Sequence, residues 1–372
     1  MPDAVVSAPG RSSLAAGPYP LIVVCRITTA CNLSCSFCAF DRRLPFARTT
    51  LSRTQIERLI RLIADWQMRH GSGQGAHPGA PRPLPGVPLL SWLGGEPLAW
   101  RDWARFSALA RSRGLAVSAT SNGSTLASAQ SRARVLEHLD ELTVSVDAIG
   151  GTHDALRGWP GGYRRLLAAL RALADARAPG VRTPRLRANI VLMRSTIDGF
   201  AALASELASA GVDEISFNLL GGRDRPDFHA TEAVPSASLD RLLLQLPLLR
   251  RELAQIGVTL SGDDRYAARL RASSRGQRWP VGDCAPGAQF LFVDEHGKVA
   301  PCAFTGAEYG IALDAIDSLD ELPARFAAAR RARRARACDD CPSTQVFGKF
   351  GQAPGVVDSQ PEAVVTDAWE YA

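Results

Sequence analysis

The 372-residue chain contains no uninterrupted apolar run of about 20 residues, so no segment is suited to crossing a membrane. Its first 20 residues carry Pro, Gly and Ser but lack a charged-then-apolar signal pattern. That absence argues against secretion and for a cytoplasmic setting, where thiols stay reduced. No repeat is present beyond a recurring strand–helix unit. No nucleic-acid motif or aromatic interleaving accompanies the arginines, so the net charge of +6 gives little support for a nucleic-acid partner. Much of that charge lies in Arg330, Arg331, Arg333, Arg334 and Arg336. The run reads as a solvated helix face or as a docking patch for an acidic electron donor such as flavodoxin or ferredoxin.

What is present is a divided set of eight cysteines. Cys31, Cys35 and Cys38 form a C-x3-C-x2-C pattern after an apolar run at residues 21–27. Three thiolates can hold three irons of a four-iron, four-sulfur cube and leave the fourth iron open to a ligand. Zinc prefers four closed N/S ligands in separated pairs, which three thiolates in eight residues fit poorly. A second set comprises Cys284, Cys302, Cys338 and Cys341, whose final C-x2-C suits zinc as well as an iron–sulfur cluster. Cys25, within the apolar run, reads as a buried, inert thiol.

Residues 21–220 alternate between strand-like and helical segments. Strands are expected at 21–27, 87–93, 115–120, 141–147, 186–193 and 214–220, with helices at 52–69, 102–113, 162–176 and 198–210. Ser52 and Gln55 form a capping-box start, and the Gly- and Pro-rich stretch 71–88 reads as a loop. Six such units imply parallel strands with right-handed crossovers, as an open sheet or a partial barrel with ligands at the carboxyl ends of the strands. The polar and glycine motifs fall at those ends. A helix at 239–256 follows, then two short strands at 289–293 and 298–304 around a hairpin turn, with Cys302 on the second. A helical segment at 319–337 delivers Cys338 and Cys341.

The Cys31–Cys38 motif with aromatic Phe37, the segment Gly94-Gly95-Glu96-Pro97-Leu98, and Val144-Ser145-Val146-Asp147 running on to His153-Asp154-Ala155-Leu156-Arg157-Gly158 resemble the radical S-adenosylmethionine (SAM) superfamily, over roughly residues 20–345. The resemblance implies an α/β partial (β/α)6 barrel and a reduced cluster that cleaves SAM. The 5′-deoxyadenosyl radical then takes a hydrogen atom from substrate. It also implies a cofactor-binding set. Glu96 would accept from the SAM amino group, with Gly94 and Gly95 allowing close approach. Thr120 and Asn122 would contact the carboxylate end, and Ser145 and Asp147 the ribose hydroxyls. Asn189 and Val191 would lie near the adenosyl region, and Phe37 beside the cluster. His153, Asp154 and Arg157 read mainly as structural. The second cysteine set resembles a twitch domain, a shortened SPASM domain, because no cysteine follows Cys341. It implies one auxiliary [4Fe-4S] cluster with four protein ligands, for two clusters in all.

The expected organisation is a flexible N-terminus at 1–20, the barrel at 21–235, a helical linker at 236–283, a small α+β twitch domain at 284–350 and a flexible tail at 351–372. The implied activity is hydrogen abstraction from an unactivated carbon of a natural-product intermediate (sugar, cyclitol or amino-acid-like), then oxidation or rearrangement with help from the auxiliary cluster. A maturase of a ribosomally made peptide is the competing reading. Only some 20 residues precede the first strand, too few for a folded peptide-recognition module, which tilts the expectation to the small molecule. A non-enzymatic iron–sulfur carrier and a zinc-binding interaction module are options of other classes. No catalytic acid or base is assigned; Asp263, Asp264, Tyr266 and Arg223 read as ordinary surface.

Overall fold

The computed structural model describes residues 19–71, 86–177 and 183–349. The expected flexible N-terminus up to residue 18, most of the 71–88 loop, and the tail from 351 lie outside the described residues. Ten strands form one sheet: β1 (Ile22–Thr28), β2 (Leu89–Gly94), β3 (Ala116–Ser121), β4 (Glu141–Ser145), β5 (Arg185–Leu192), β6 (Glu214–Leu219), β7 (Thr259–Leu260), β8 (Phe290–Val293), β9 (Lys298–Ala300) and β10 (Ile311–Ala312). Their order is β10-β9-β8-β1-β2-β3-β4-β5-β6-β7. Strands β1 to β7 pair in parallel, β8 adds in parallel to β1, and β9 and β10 are antiparallel. This is the partial (β/α)6 barrel with a short extra strand at one edge and three added strands, β8, β9 and β10, at the other.

The alternation along β5 explains the layering. Leu186, Ala188, Ile190 and Leu192 are buried in the core, against helix residues such as Leu203 and Leu207. Arg185, Arg187, Asn189 and Val191 point to the other face and are only half-buried. In a period-2 strand this makes one face apolar and helix-covered and the other a partly polar chamber wall. Cross-strand rows continue that wall: Ser145 pairs with Asn189 and Asn189 with Ser216. At the amino-terminal end of the strands an ion-pair network fills the wall. Arg187 bonds Glu141 at 3.1 Å and Glu214 at 2.9 Å, and Tyr19 donates to Glu141 at 2.7 Å.

The expected helices form with shifted boundaries. Helix Arg53–His70 starts on the Ser52–Gln55 capping box and buries Ile56, Leu59, Ile60 and Ile63. Sequence periodicity missed the helices Ala129–His138, Gly150–Arg157 and Pro226–Glu232. The first buries only Val135 and the last buries nothing, so neither leaves an apolar stripe to read.

Three features after residue 235 differ from expectation. The segment expected as a helical linker contains β7, which extends the barrel sheet beside β6. Strand β9 stops at Ala300 rather than running to 304, so Cys302 lies beyond the strand. Pro301 has no N–H to continue the ladder. The helix expected over 319–337 is instead a short 3-10 turn at Leu319–Glu321, the helix Leu322–Ala332, and a further 3-10 turn at Arg336–Cys338. The Tyr309 hydroxyl donates to Arg333 O at 2.9 Å and accepts from Ala335 N at 2.6 Å, which holds the chain out of helical conformation before Cys338. Residues of β8, β9 and helix Leu322–Ala332 share one apolar core with the barrel. Among the described residues no helix is long and apolar enough to cross a membrane.

Replacing Tyr309 by Phe removes both hydrogen bonds and leaves the buried Ala335 N–H unpaired. We expect a loss of about 1–3 kcal/mol in stability, read as a lower urea midpoint at unchanged slope.

Candidate functional site

The loop after β1 carries Cys31, Cys35 and Cys38 and is held from three sides. Gly95 N donates to Thr28 O at 2.8 Å and Glu96 N to Ala30 O at 2.9 Å. A side-chain carbon at Gly95 would lie 2.1 Å from Ala30 O and 2.9 Å from Cys31 N, so the glycine is required by the cysteine loop's own backbone. The end of helix Gly150–Arg157 supplies the second support: Ser34 N donates to Arg157 O at 3.3 Å and Ser36 N to Leu156 O at 3.2 Å. That helix terminates at Gly158, left-handed at φ 59°, where a Cβ would lie 2.1 Å from Ser34 Oγ. The third support is Arg43, which donates to Ser34 O at 3.1 Å and to Asp41.

Donors are aimed at the sulfurs. Phe40 N donates to Cys38 Sγ at 3.3 Å, and Asn122 Nδ2 lies 3.7 Å from Cys31 Sγ. Burial pushes the Cys35 thiol up to about 12, against which the Arg157 guanidinium favours the thiolate. Such a set suits thiolates bound to a metal, which displaces the proton that burial otherwise retains. Among the described residues no three acidic, imidazole or thiol groups gather at the spacing of a single ion. In a cube each thiolate binds a different iron, so its ligands stand farther apart than around one ion. Cys25 is fully buried with its thiol pKa raised by that burial, as an inert core cysteine requires.

Glu96 is 1% exposed and surrounded by donors. Its Oε1 accepts from Leu98 N at 2.9 Å and Ser121 Oγ at 2.8 Å, and its Oε2 from Asn122 N at 2.7 Å. Burial raises its pKa to about 7 despite those bonds. Three of roughly four acceptor positions are thus taken within the protein, leaving one for an ammonium. Gly94, Glu96 and Asn122 lie next to the cysteine loop. Thr120 sits on β3 opposite Thr143, farther into the sheet.

Asp147 follows β4 and is spoken for internally. Its Oδ2 accepts from Arg157 Nε at 2.9 Å and Nη2 at 2.6 Å, and its Oδ1 from Val191 N at 3.0 Å. The carboxylate therefore acts as counter-ion to a buried guanidinium, and the contact of Val191 with this region is through its backbone. Burial opposes the charge on Arg157, but Asp147 and the Cys35 sulfur outweigh it and raise the arginine's pKa. Phe37 lies under that guanidinium at 5.5 Å. His153 Nδ1 accepts from Asp147 N at 3.3 Å; burial and then Arg157 push its pKa down to about 3, so it is neutral. Asp154 accepts from Gly161 N and Tyr163 N, a local structural role.

Sequence reasoning missed Lys349. Its ammonium donates to Asn189 Oδ1 at 2.9 Å and Asn218 Oδ1 at 2.8 Å, on the polar wall of β5 and β6. Phe347, fully buried against Trp279, anchors the segment that brings it there. Burial lowers the Lys349 pKa to about 7. Nothing local marks this residue; only the fold places it beside Asn189. Tyr266, expected as surface, is 1% exposed and donates to Phe217 O, its hydroxyl 3.2 Å from Asn218 Oδ1. Asp263 caps its own helix through Tyr266 N at 2.8 Å, and Arg223 stacks on Phe304 at 4.7 Å.

The second cysteine set is assembled by backbone pairing. Cys341 N donates to Trp279 O at 3.1 Å and Val281 N to Cys338 O at 3.2 Å. Cys302 Sγ lies 3.3 Å from Thr305 Oγ1. Cys284 is followed by Ala285 at φ 45°, the one non-glycine residue at positive φ among the described residues. That strain is a mark of functional loops. Burial pushes the Cys284 thiol up to about 11 and that of Cys341 to about 12.

Comparison with known proteins agrees with this geometry. Residues 25–207 match the Radical SAM superfamily, and the chain belongs to that superfamily of enzymes. It is 24% identical over 300 residues to the sporulation killing factor maturation protein SkfB of Bacillus subtilis, covering 79% of this chain and 63% of that protein. It is 24% identical over 298 residues to the AdoMet-dependent heme synthase of Methanosarcina barkeri, covering 77% of each. Among solved structures, Streptococcus suis SuiB bound to precursor peptide SuiA matches with a TM-score of 0.62 at 15% identity, over 90% of this chain and 70% of that one. The family implies SAM and a [4Fe-4S] cluster, which the thiol set after β1 fits.

Replacing Asp147 by Ala strands the Arg157 charge in the interior. We expect a loss of about 3–5 kcal/mol in stability, measured by chemical denaturation. For Lys349, the pKa is about 7 folded against 10.5 unfolded. Between those values the unfolded chain binds more protons, so stability rises with pH. Wild type is expected to gain stability relative to Lys349→Met as pH rises from 7 to 10; parallel curves would show the amine to be solvated.

Proposed function

We propose that this chain is a radical SAM enzyme that modifies a ribosomally made peptide by removing a hydrogen atom from an unactivated carbon. The observation that carries the reading is the thiol triad of Cys31, Cys35 and Cys38, with N–H donors aimed at its sulfurs and Glu96 buried beside it. Cys31, Cys35 and Cys38 would hold a [4Fe-4S] cluster, which would supply the electron for reductive cleavage of SAM. Glu96 accepts from the SAM ammonium through its remaining lone pair, and Asn122 orients the same end. Asn189, Ser216, Asn218 and Lys349 give the chamber a polar wall toward the substrate. The peptide substrate is supported by SkfB, a maturation protein, and by SuiB, whose structure is bound to a precursor peptide. These relatives shift the balance from the small molecule that the sequence alone favours. A small-molecule substrate remains the second reading, on the match to heme synthase.

Residues 284–350 form, in this reading, a twitch-type unit in which Cys284, Cys302, Cys338 and Cys341 hold one auxiliary [4Fe-4S] cluster. Its four thiolates leave no open iron, so its task is electron transfer. Arg331, Arg333 and Arg336 are exposed and offer a basic surface to an acidic donor such as flavodoxin or ferredoxin.

Anaerobically reconstituted protein, given SAM and dithionite, should form 5′-deoxyadenosine, and alanine at Cys31, Cys35 or Cys38 should abolish it. Alanine at Cys302 should lower bound iron from about eight to about four per chain while leaving some SAM cleavage. A short peptide encoded beside the gene should change mass on incubation. Undiminished 5′-deoxyadenosine without those three thiols would end the proposal.

A further inference from the structure

The run of arginines before Cys338 divides in two. Arg330 has a side chain only 10% exposed. Its Nη1 lies 4.0 Å from Cys284 Sγ and its Nη2 donates to Val281 O. Arg334 donates to the same carbonyl at 3.2 Å, to Cys338 O at 2.7 Å and to Asp339 Oδ1 at 2.6 Å. Together with the Val281–Cys338 backbone bond, the two guanidinium groups clamp the chain at Cys284 to the chain at Cys338. Arg334 has its charge matched by Asp339. Arg330 faces Asp283 at 3.6 Å, but that carboxylate is 64% exposed, so water weakens its pull and it offsets the cation only in part. The inward side of the Arg330 charge is thus left to the Cys284 sulfur. Cys302 and Cys338 meet neutral hydroxyls, those of Thr305 and Tyr309.

We propose that Arg330 sets the potential of the auxiliary cluster and makes that cluster an electron acceptor. The inference rests on the reading of Cys284, Cys302, Cys338 and Cys341 as iron ligands. One-electron reduction of a four-thiolate cube adds one negative charge and no proton. A fixed cation beside a ligand sulfur stabilises that state more than the oxidised one, and does so strongly in a dry site. The electron comes from the substrate radical left by hydrogen abstraction; the substrate loses a proton to solvent as it becomes a closed-shell product, and the reduced cluster passes its electron to an oxidised flavodoxin or ferredoxin. Arg330 is a positioning and tuning residue; it acts through the cluster and touches no substrate.

The test is an EPR-monitored redox titration of the anaerobic holoprotein, with and without SAM. SAM perturbs the signal of the cluster at Cys31, Cys35 and Cys38 and so assigns the two midpoints. In Arg330→Gln the SAM-insensitive midpoint should move to more negative potential while the other stays. Arg330→Lys, which keeps the charge but not the fork on Val281, should stay near wild type. Arg331→Gln, an exposed control, should move neither. Should Arg330→Gln lose its second cluster, Asp283→Asn serves instead: removing the opposing carboxylate should move the same midpoint positive. An unmoved midpoint in Arg330→Gln at full iron content, or in Asp283→Asn, overturns the proposal. Wild-type protein with about four irons per chain, or with zinc at the second set, defeats the two-cluster reading and is distinguished by metal analysis alone.

Discussion

The Arg157 guanidinium, buried between Asp147 and the cysteine loop, is the interaction on which the site depends. An unpaired charge in that position would be prohibitive; paired on one side with a carboxylate and facing thiols on the other, it is retained. Through Asp147 it reaches Val191 N on β5, through its own carbonyl it holds Ser34, and across its face it packs on Phe37. One residue therefore fixes the end of β4, the neighbouring β5 and the loop that carries Cys31, Cys35 and Cys38. Against burial, the same cation favours the Cys35 thiolate, the form in which a thiol binds metal.

The barrel wall follows from a simpler rule. On β5 the even-numbered residues are apolar and face helices, while Arg185, Arg187 and Asn189 face the interior. The interior charges are consumed at the amino-terminal end, where Arg187 is shared by Glu141 and Glu214. Above them Asn189 and Asn218 receive Lys349. That face of the sheet thus carries ion pairs at one end and hydrogen-bonding groups at mid-height. At the cysteine end Glu96 has one acceptor position left.

Much of the barrel was legible from residue patterns because its strands are short apolar runs, alternating in β1 and β5, followed at the same end by short polar motifs. The Cys31–Cys38 spacing and Gly94-Gly95-Glu96 are local signals. The short helices were not legible where they bury at most one residue, as at Ala129–His138 and Pro226–Glu232. Asp147 shows a subtler limit: its position was readable, but its partner was not. A carboxylate in a motif looks the same whether it meets a ribose or an arginine ten residues on.

Local sequence by itself determined the strand–helix rhythm, the two thiol sets and the glycines that let backbones meet, because each depends on near neighbours and on intrinsic residue chemistry. Only the tertiary structure decided that β8 joins β1 to continue one sheet, that Lys349 enters the barrel wall and that Arg330 turns toward Cys284. Those outcomes join residues far apart in the chain. They are set by which buried charges and hydrogen-bonding groups find partners once the whole core has closed, a condition that no short stretch of sequence records.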